Sequence, residues 1–316
     1  MPVKPMTPNA RLFTALLWCC TFVTFTTTCG PAQKVGSDNS YVKNIKFNHL
    51  FIVIDEFTYD HLFDSLQILE KFSRNRESKV ESGDESWVGK YLFGNNHYLE
   101  IFKPGGYKDA QIGDMGIGFM TNKPGTLDSI YKSRMILGDT GEIKLRTYKE
   151  DSISYPWLTT LRFRDKDSMR NEIWLMEHSK QELRSAGFSD EEISGEVEFR
   201  EYVKRRRAKI LKVSPDSLNF DRLMDRVTSI TVSVTEKELN FFRRNLKRFG
   251  FSESGNRFTK DDFIIQYRLS PVKRFILNQI DFKLRQKVTP QTFAFGTVVM
   301  TLQDDVASLK FSFQQP

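Results

Sequence analysis

From residue 45 onward, apolar positions come in short runs set between turn-forming stretches, and the period of each run predicts an element. FNHLFIVID is dense in Phe, Ile and Val and predicts a buried strand. Leu62, Phe63, Leu66, Leu69 and Phe72 then recur at spacings of three and four, the stripe of an amphipathic helix. RNRESKVESGDES is polar and predicts a weak strand. WVGKYLFG and HYLEIF predict two more, around the turn Gly94-Asn95-Asn96. The order is β-α-β-β-β.

The order then recurs. GDMGIGFMT predicts a strand, and PGTLDSIYKSRM a short helix with Pro at its start. EIKLRTYK, YPWLTTLRF and NEIWLMEH predict three further strands. Residues 181–225 are mostly helical in pattern and end near Pro215. A third block opens with the alternating strand VTSITVSVT and the helix ELNFFRRNLKRF, closed by Gly250. DFIIQYRLS, FILNQIDFKL, FAFGTVVMTL and SLKFSF predict strands, the last a sheet edge. The expected fold class is α+β, made of repeated β-α-β-β-β modules.

Composition sharpens this picture. The 316 residues carry 27 Phe, 10 Tyr and 4 Trp, enough for a large core in a strand-rich chain. Cys19, Cys20 and Cys29 all lie near the N-terminus, which excludes a disulfide scaffold for the folded part. Formal charge is +7, and residues 1–28 hold two of the basic residues and no acid. A remaining +5 is modest. The densest basic run, Lys204-Arg205-Arg206-Arg207, lies in a mixed-charge helix and predicts a solvated face rather than a nucleic-acid surface.

The first 28 residues have the pattern of a secretory signal, with Lys4 and Arg11 ahead of the apolar run LFTALLWCCTFVTF. Cys29 sits where a bacterial lipoprotein signal places its lipidated cysteine, although Thr28 before it makes a loose match. Residues 29–44 predict a flexible linker. The expected location is the bacterial cell envelope, through a lipid anchor at Cys29, with secretion to the periplasm or beyond as the alternative. The remaining divisions are a two-module domain over 45–180, a helical connector over 181–225 and a C-terminal module over 226–316.

Strand alternation places candidate chemistry. His49 shares a face with Phe51, Val53 and Asp55; Glu100 with Tyr98 and Phe102; Glu177 with Leu175 and Ile173. Both glutamates have apolar neighbours, where a charge is costly unless paired or metal-bound. His97 and His178 alternate to the opposite side, and His97 is expected at the surface. Trp87, Tyr91, Trp157 and Trp174 serve either the core or the lining of an apolar pocket. No phosphate loop and no nucleophile elbow can be placed.

On these residues, 45–180 resemble the vicinal oxygen chelate superfamily, the glyoxalase and extradiol dioxygenase fold. The order NHLFIVID, WVGKYLFGNNHYLEIF, GIGF, WLMEH and the C-terminal block is similar to an uncharacterised bacterial glyoxalase-like family. The resemblance implies two modules forming an eight-stranded cup, with metal ligands on the first and last strand of each. It implies His49, Glu100 and Glu177 as ligands, with Gly116, or Asp114 after a shift of two, at the fourth position. Carboxylate-rich ligation of this kind suits Zn, Fe, Ni, Mn or Mg. With a metal, lyase, isomerase or dioxygenase-type chemistry follows, with Glu177 or Glu100 as the proton-moving base. Without one, the cup is a small-molecule site or an interaction surface with a degraded metal centre. In the third block Ser229 takes the place of His49. The residues leave open whether the protein is an enzyme, and they name neither substrate nor oligomeric state.

Overall fold

A computed structural model describes residues 39–64, 70–83, 85–136, 141–150, 153–165, 168–218, 222–270 and 275–313. Residues 1–38, with the predicted signal segment, most of the predicted linker and Cys29, lie outside the described residues, as do Leu66 and Leu69 of the first helical stripe. Residues Asn39–Pro316 form one compact unit.

The first module is β1 (Ile45–Val53), α1 (Glu56–Asp64), β2 (Arg74–Ser82), β3 (Glu85–Phe93) and β4 (Tyr98–Phe102). The second repeats it as β5 (Met115–Thr121), α2 (Thr126–Ile136), β6 (Glu142–Glu150), β7 (Ile153–Asp165) and β8 (Ser168–His178). They join into one eight-stranded sheet in the order β2-β3-β4-β1-β5-β8-β7-β6. Within each module the first and last strands run parallel, and the modules meet through the antiparallel pair β1–β5. The sheet curls until its edge strands β2 and β6 touch, and Glu85 on β3 reaches Lys144 and Arg146 on β6. This is the expected paired-module glyoxalase/dioxygenase-like cup, and the strand order alone establishes it.

Three helices follow: α3 (Lys180–Ser185), α4 (Asp190–Ser194) and α5 (Phe199–Leu211). The C-terminal block is a third β-α-β-β-β module, of β9 (Met224–Val234), α6 (Glu236–Arg248), β10 (Ser252–Ser254), β11 (Arg257–Lys260) and β12 (Phe263–Leu269). The short hairpin β10–β11 escapes the sequence pattern because SESGNRFTK has almost no apolar residue. A capping box between Thr235 and Glu238 starts α6, and Gly250 (φ 88°) follows its end, as the sequence implies.

Two long strands complete this second sheet, β13 (Ile276–Phe295) and β14 (Val298–Phe311), in the order β10-β11-β12-β9-β13-β14. Three strands are expected there from the sequence. Instead β13 runs through Pro290, past the end of β9, where the ladder shifts register and tolerates a residue without an N–H. The turn falls inside FAFGTVV, at Gly296 (φ 56°). The hairpin tip lies on α1: Thr297 donates from its N–H to Thr58 Oγ1 (2.9 Å) and from its hydroxyl to Asp55 Oδ2 (2.8 Å).

One hydrophobic core spans both sheets. Leu50, Ile52, Ile117 and Phe119 on the convex face of the first sheet join Val227, Ile230, Phe263 and Phe282 of the second. Phe47 stacks on Phe263 at 3.9 Å, and Phe119 meets Phe249 edge-on at 5.2 Å. The first two helices and the third module therefore cover the convex face, while Phe199 of α5 packs on the concave face beside Trp174 and Met176.

Candidate functional site

Register fixes which side chains share the concave face. One row across the sheet is Arg76–Tyr91–Glu100–Phe51–Gly116–Glu172. The next is Arg74–Phe93–Tyr98–His49–Gly118–Trp174–Arg162. His49 and Glu100 are thus on the cup face, as alternation predicts.

Glu177 is not. It is one residue out of phase with Trp174, Met176 and His178 and points to the convex side. There its carboxylate accepts from Thr121 Oγ1, Gly125 N and Leu127 N, each at 2.8 Å, and caps the start of α2. A helix docked on that side accounts for a carboxylate among apolar neighbours, with no metal needed.

His49 is 3% exposed and held from three sides. Asn48 is the extra residue of a β-bulge in the β1–β5 ladder, and its Oδ1 lies 2.9 Å from His49 Nδ1. Tyr98 stacks on the imidazole at 4.3 Å and Trp174 meets it edge-on at 5.1 Å. Burial pushes its pKa down to about 3, so the ring is neutral at ordinary pH.

Gly116 stands at the fourth ligand position that the resemblance implies, and Gly118, opposite His49, shares its face. A Cβ at Gly116 would lie 2.4 Å from Trp174 and 2.6 Å from Phe51; at Gly118 it would lie 2.5 Å from His49. The indole of Trp174 covers both glycines and stacks on Phe51 at 5.7 Å. Aromatic rings fill the centre of the cup, and glycine is what makes room for them.

Asp114, the alternative fourth ligand, is buried beside Tyr107 and accepts from Gln111 N at 2.9 Å. Among the described residues no three His, Cys, Asp or Glu side chains gather closely enough to hold a metal ion. The donor set expected from the resemblance therefore does not fit a metal centre: one carboxylate caps a helix, one position is glycine under an indole, and the histidine is clamped.

What the concave face does carry is a polar half and an acidic group. Arg146, 4% exposed in its side chain, pairs with Glu85, which also takes Lys144 at 2.9 Å. Arg162 lies 3.8 Å from both Glu85 and Glu172. Burial pushes the Glu85 pKa up, but hydrogen bonds from Lys144 and Arg146 outweigh it and leave the carboxyl below its ordinary range. Sequence reasoning missed this network because its members lie on four strands distant along the chain.

On the other half stands Glu100. It is partly buried against Tyr91, Phe51 and Tyr98, and no hydrogen bond or ion pair engages its carboxyl among the described residues. Burial alone pushes its pKa up to about 8.

Helix α5 closes one side of the cup: Phe199 stacks on Tyr98 at 5.8 Å and Tyr202 lies 3.9 Å from His178. His178 is buried with neither ring nitrogen hydrogen-bonded among the described residues, beside a cavity of about 10 Å³, the room of one water. His97 is buried as well, not at the surface. Its Nδ1 lies 3.1 Å from the Val227 carbonyl, because the third module covers that side.

A family model described as a family of unknown function (DUF5829) matches residues 47–311. No curated protein matches significantly. Among solved structures, the chain is similar to the 2,3-dioxygenase LapB from Pseudomonas sp. KL28, at 10% identity and TM-score 0.41, covering 86% of this chain and 93% of that one. It is also similar to an extradiol ring-cleaving dioxygenase from B. fuscum, at 12% identity and TM-score 0.33, covering 70% and 53%. A third is a xylose isomerase-like TIM barrel/4-hydroxyphenylpyruvate dioxygenase fusion protein, at 9% and TM-score 0.39, covering 75% and 35%. The chain spans about a third of that fusion protein and about half of the B. fuscum enzyme.

Proposed function

The chain belongs to DUF5829, a family of unknown function, and on that premise we propose that its cup binds a small organic molecule without a metal ion. Glu100 carries this reading. A carboxyl buried among aromatic side chains, with no hydrogen bond or ion pair among the described residues, is expensive to bury, and a ligand that hydrogen-bonds to it offsets the cost. With its proton retained near neutral pH, it donates a hydrogen bond; ionised, it accepts one. It can thus hold a ligand hydroxyl or carbonyl, or move a proton at that atom.

The rings of Tyr91, Phe93 and Tyr98 form the adjoining wall, with Tyr91 and Phe93 5.9 Å apart and Phe93 and Tyr98 5.6 Å apart, both stacked. A flat, unsaturated ligand suits such a surface. The dioxygenase names of the structural neighbours are not carried over, since the donors for a metal are not gathered here.

Calorimetry of purified residues 30–316 with phenol-type probes and with Mn, Zn and Fe(II) salts tests the reading. The expected result is probe binding that Glu100→Ala weakens at least tenfold, with no stoichiometric metal. Tight one-to-one metal uptake lost in His49→Ala would overturn it. The same reading places the protein at the bacterial envelope, held by lipid at Cys29, on the pattern of its first 29 residues.

A further inference from the structure

The seam between the first sheet and the third module holds a cavity of about 110 Å³, room for a small organic molecule rather than a single water. It shares no residue with the two rows of the cup. Three buried rings wall it. Phe47 of β1 stacks on Phe263 of β12 at 3.9 Å, and Phe251, after α6, meets Phe263 edge-on at 6.3 Å. Close-packed interiors keep few voids of this size, and rings around one forfeit contacts unless something fills it.

Polar groups of both kinds line the same space. Lys260, the last residue of β11, donates to the carbonyls of Val42 and Phe249 at 2.7 and 2.6 Å. Those two bonds fix the nitrogen, and its third N–H has no acceptor among the described residues. Burial pushes its pKa down, against Asp261, to about 8, and Lys46 adds to the fall. His97, in the turn between β3 and β4, is the counterpart. Its Nδ1 lies 3.1 Å from the Val227 carbonyl, which only accepts, so Nδ1 carries the proton of the neutral ring. Nε2 is left as a bare acceptor, with no partner among the described residues. Asp261 and Asp262, in the turn from β11 to β12, add two carboxylates. Each already has a cation, Lys46 at 3.2 Å and Arg226 at 2.5 Å, but these pairs are half-exposed, where such pairs are weak.

A lining with one fixed donor, one fixed acceptor, two lysines and two aspartates does not select an ion of a single sign. It matches a molecule that carries both. We propose that this cavity binds a small zwitterion of the amino-acid class, its carboxylate on Lys260, its ammonium on His97 Nε2 and the carboxylates of the turn. The short aliphatic part of the ligand lies among the rings of Phe47, Phe251 and Phe263. This second site is independent of the cup and of what the cup binds.

Binding of alanine, propionate and ethylammonium to the purified protein is measured by calorimetry and ligand-observed NMR. Alanine combines the charges that the other two carry singly. It is expected to bind about tenfold tighter than either, the worth of one charge-assisted hydrogen bond, and Lys260→Met is expected to abolish the preference. Asp261→Asn, an exposed change that the left-handed backbone there (φ 51°) tolerates, should weaken alanine severalfold and leave propionate no weaker. Propionate or ethylammonium binding as tightly as alanine would overturn the zwitterion assignment. Silence from all three probes would reduce the site to a hydrated cavity. Alanine binding that survives both substitutions, in variants with native circular dichroism, would place the amino acid elsewhere on the protein and sink the proposal. Should Lys260→Met fail to fold, the wild-type probe series and Asp261→Asn still decide.

Discussion

Glu100 and Glu177 look alike in the sequence, each a glutamate near the end of a strand with apolar neighbours, yet they meet opposite fates. Alternation places each relative to its own strand but not relative to the sheet, so which face is concave was not legible. Only the register shows that Glu177 shares its side with Leu175 and the core, and Glu100 with His49 and the cup. His49 was legible as a cup residue, whereas its clamp by Asn48, Tyr98 and Trp174 depends on a bulge and on glycines 67 and 69 positions away.

The acid at Glu100 has a consequence for stability. Its folded pKa, about 8, lies above its ordinary value of 4.5. Below pH 4.5 both folded and unfolded states hold the proton. As pH rises towards 8 only the unfolded chain releases it, so the native state loses stability over that window and no further above it. An ionised Glu100 would in turn hold the Tyr91 and Tyr98 hydroxyls further from ionisation, while Arg76 acts oppositely on the same tyrosines. Glu100→Gln is therefore expected to match the wild type in thermal unfolding at pH 4.5. It should exceed it increasingly up to pH 8, by about one to a few kcal/mol. A gap that stays constant with pH would mean the carboxyl is ionised and solvated.

At the scale of elements, α2 depends on a strand rather than on its own cap. Glu177 on β8 accepts the N–H groups of Gly125 and Leu127, so removing it strands two donors at a helix start. Glu177→Ala is expected to cost about 1–3 kcal/mol in chemical unfolding while leaving probe affinity in the cup unchanged. Lost probe binding in a variant of native spectrum would place Glu177 in the site after all. The element order was largely legible, since periods of 2 and 3.6 are dictated by local backbone geometry. The hairpin β10–β11 was not, because its strands are polar and are held by the β12 ladder and the core beneath Phe258. Nor was the length of β13, whose Pro290 signals a break that an absent neighbour renders harmless.

For the molecule as a whole, repetition was visible in the sequence, and its use was not. Three modules share one topology, yet two make a cup and the third spends its apolar face covering their backs through Phe249, Phe251 and Phe263. That leaves the cup, with α5 packed at one side, on the face opposite these contacts. The proposed anchor is tested by fractionating cells that produce the full chain: wild type is expected in the membrane fraction, with a mass shift for acyl groups at Cys29. Cys29→Ser should release the folded protein or block its processing. An unmodified, soluble wild type would remove the lipid anchor from the reading.

The clasp between Thr297 and the Asp55–Thr58 turn joins positions 239 residues apart. A nascent chain emerges from the N-terminus, so α1 is synthesised long before the hairpin that secures it. The contacts of α1 with the last hairpin, and the packing of Phe72 on Phe282 at 5.4 Å, need the end of the chain in order to form. Contacts this distant along the chain form slowly, so the clasp is among the late events of folding.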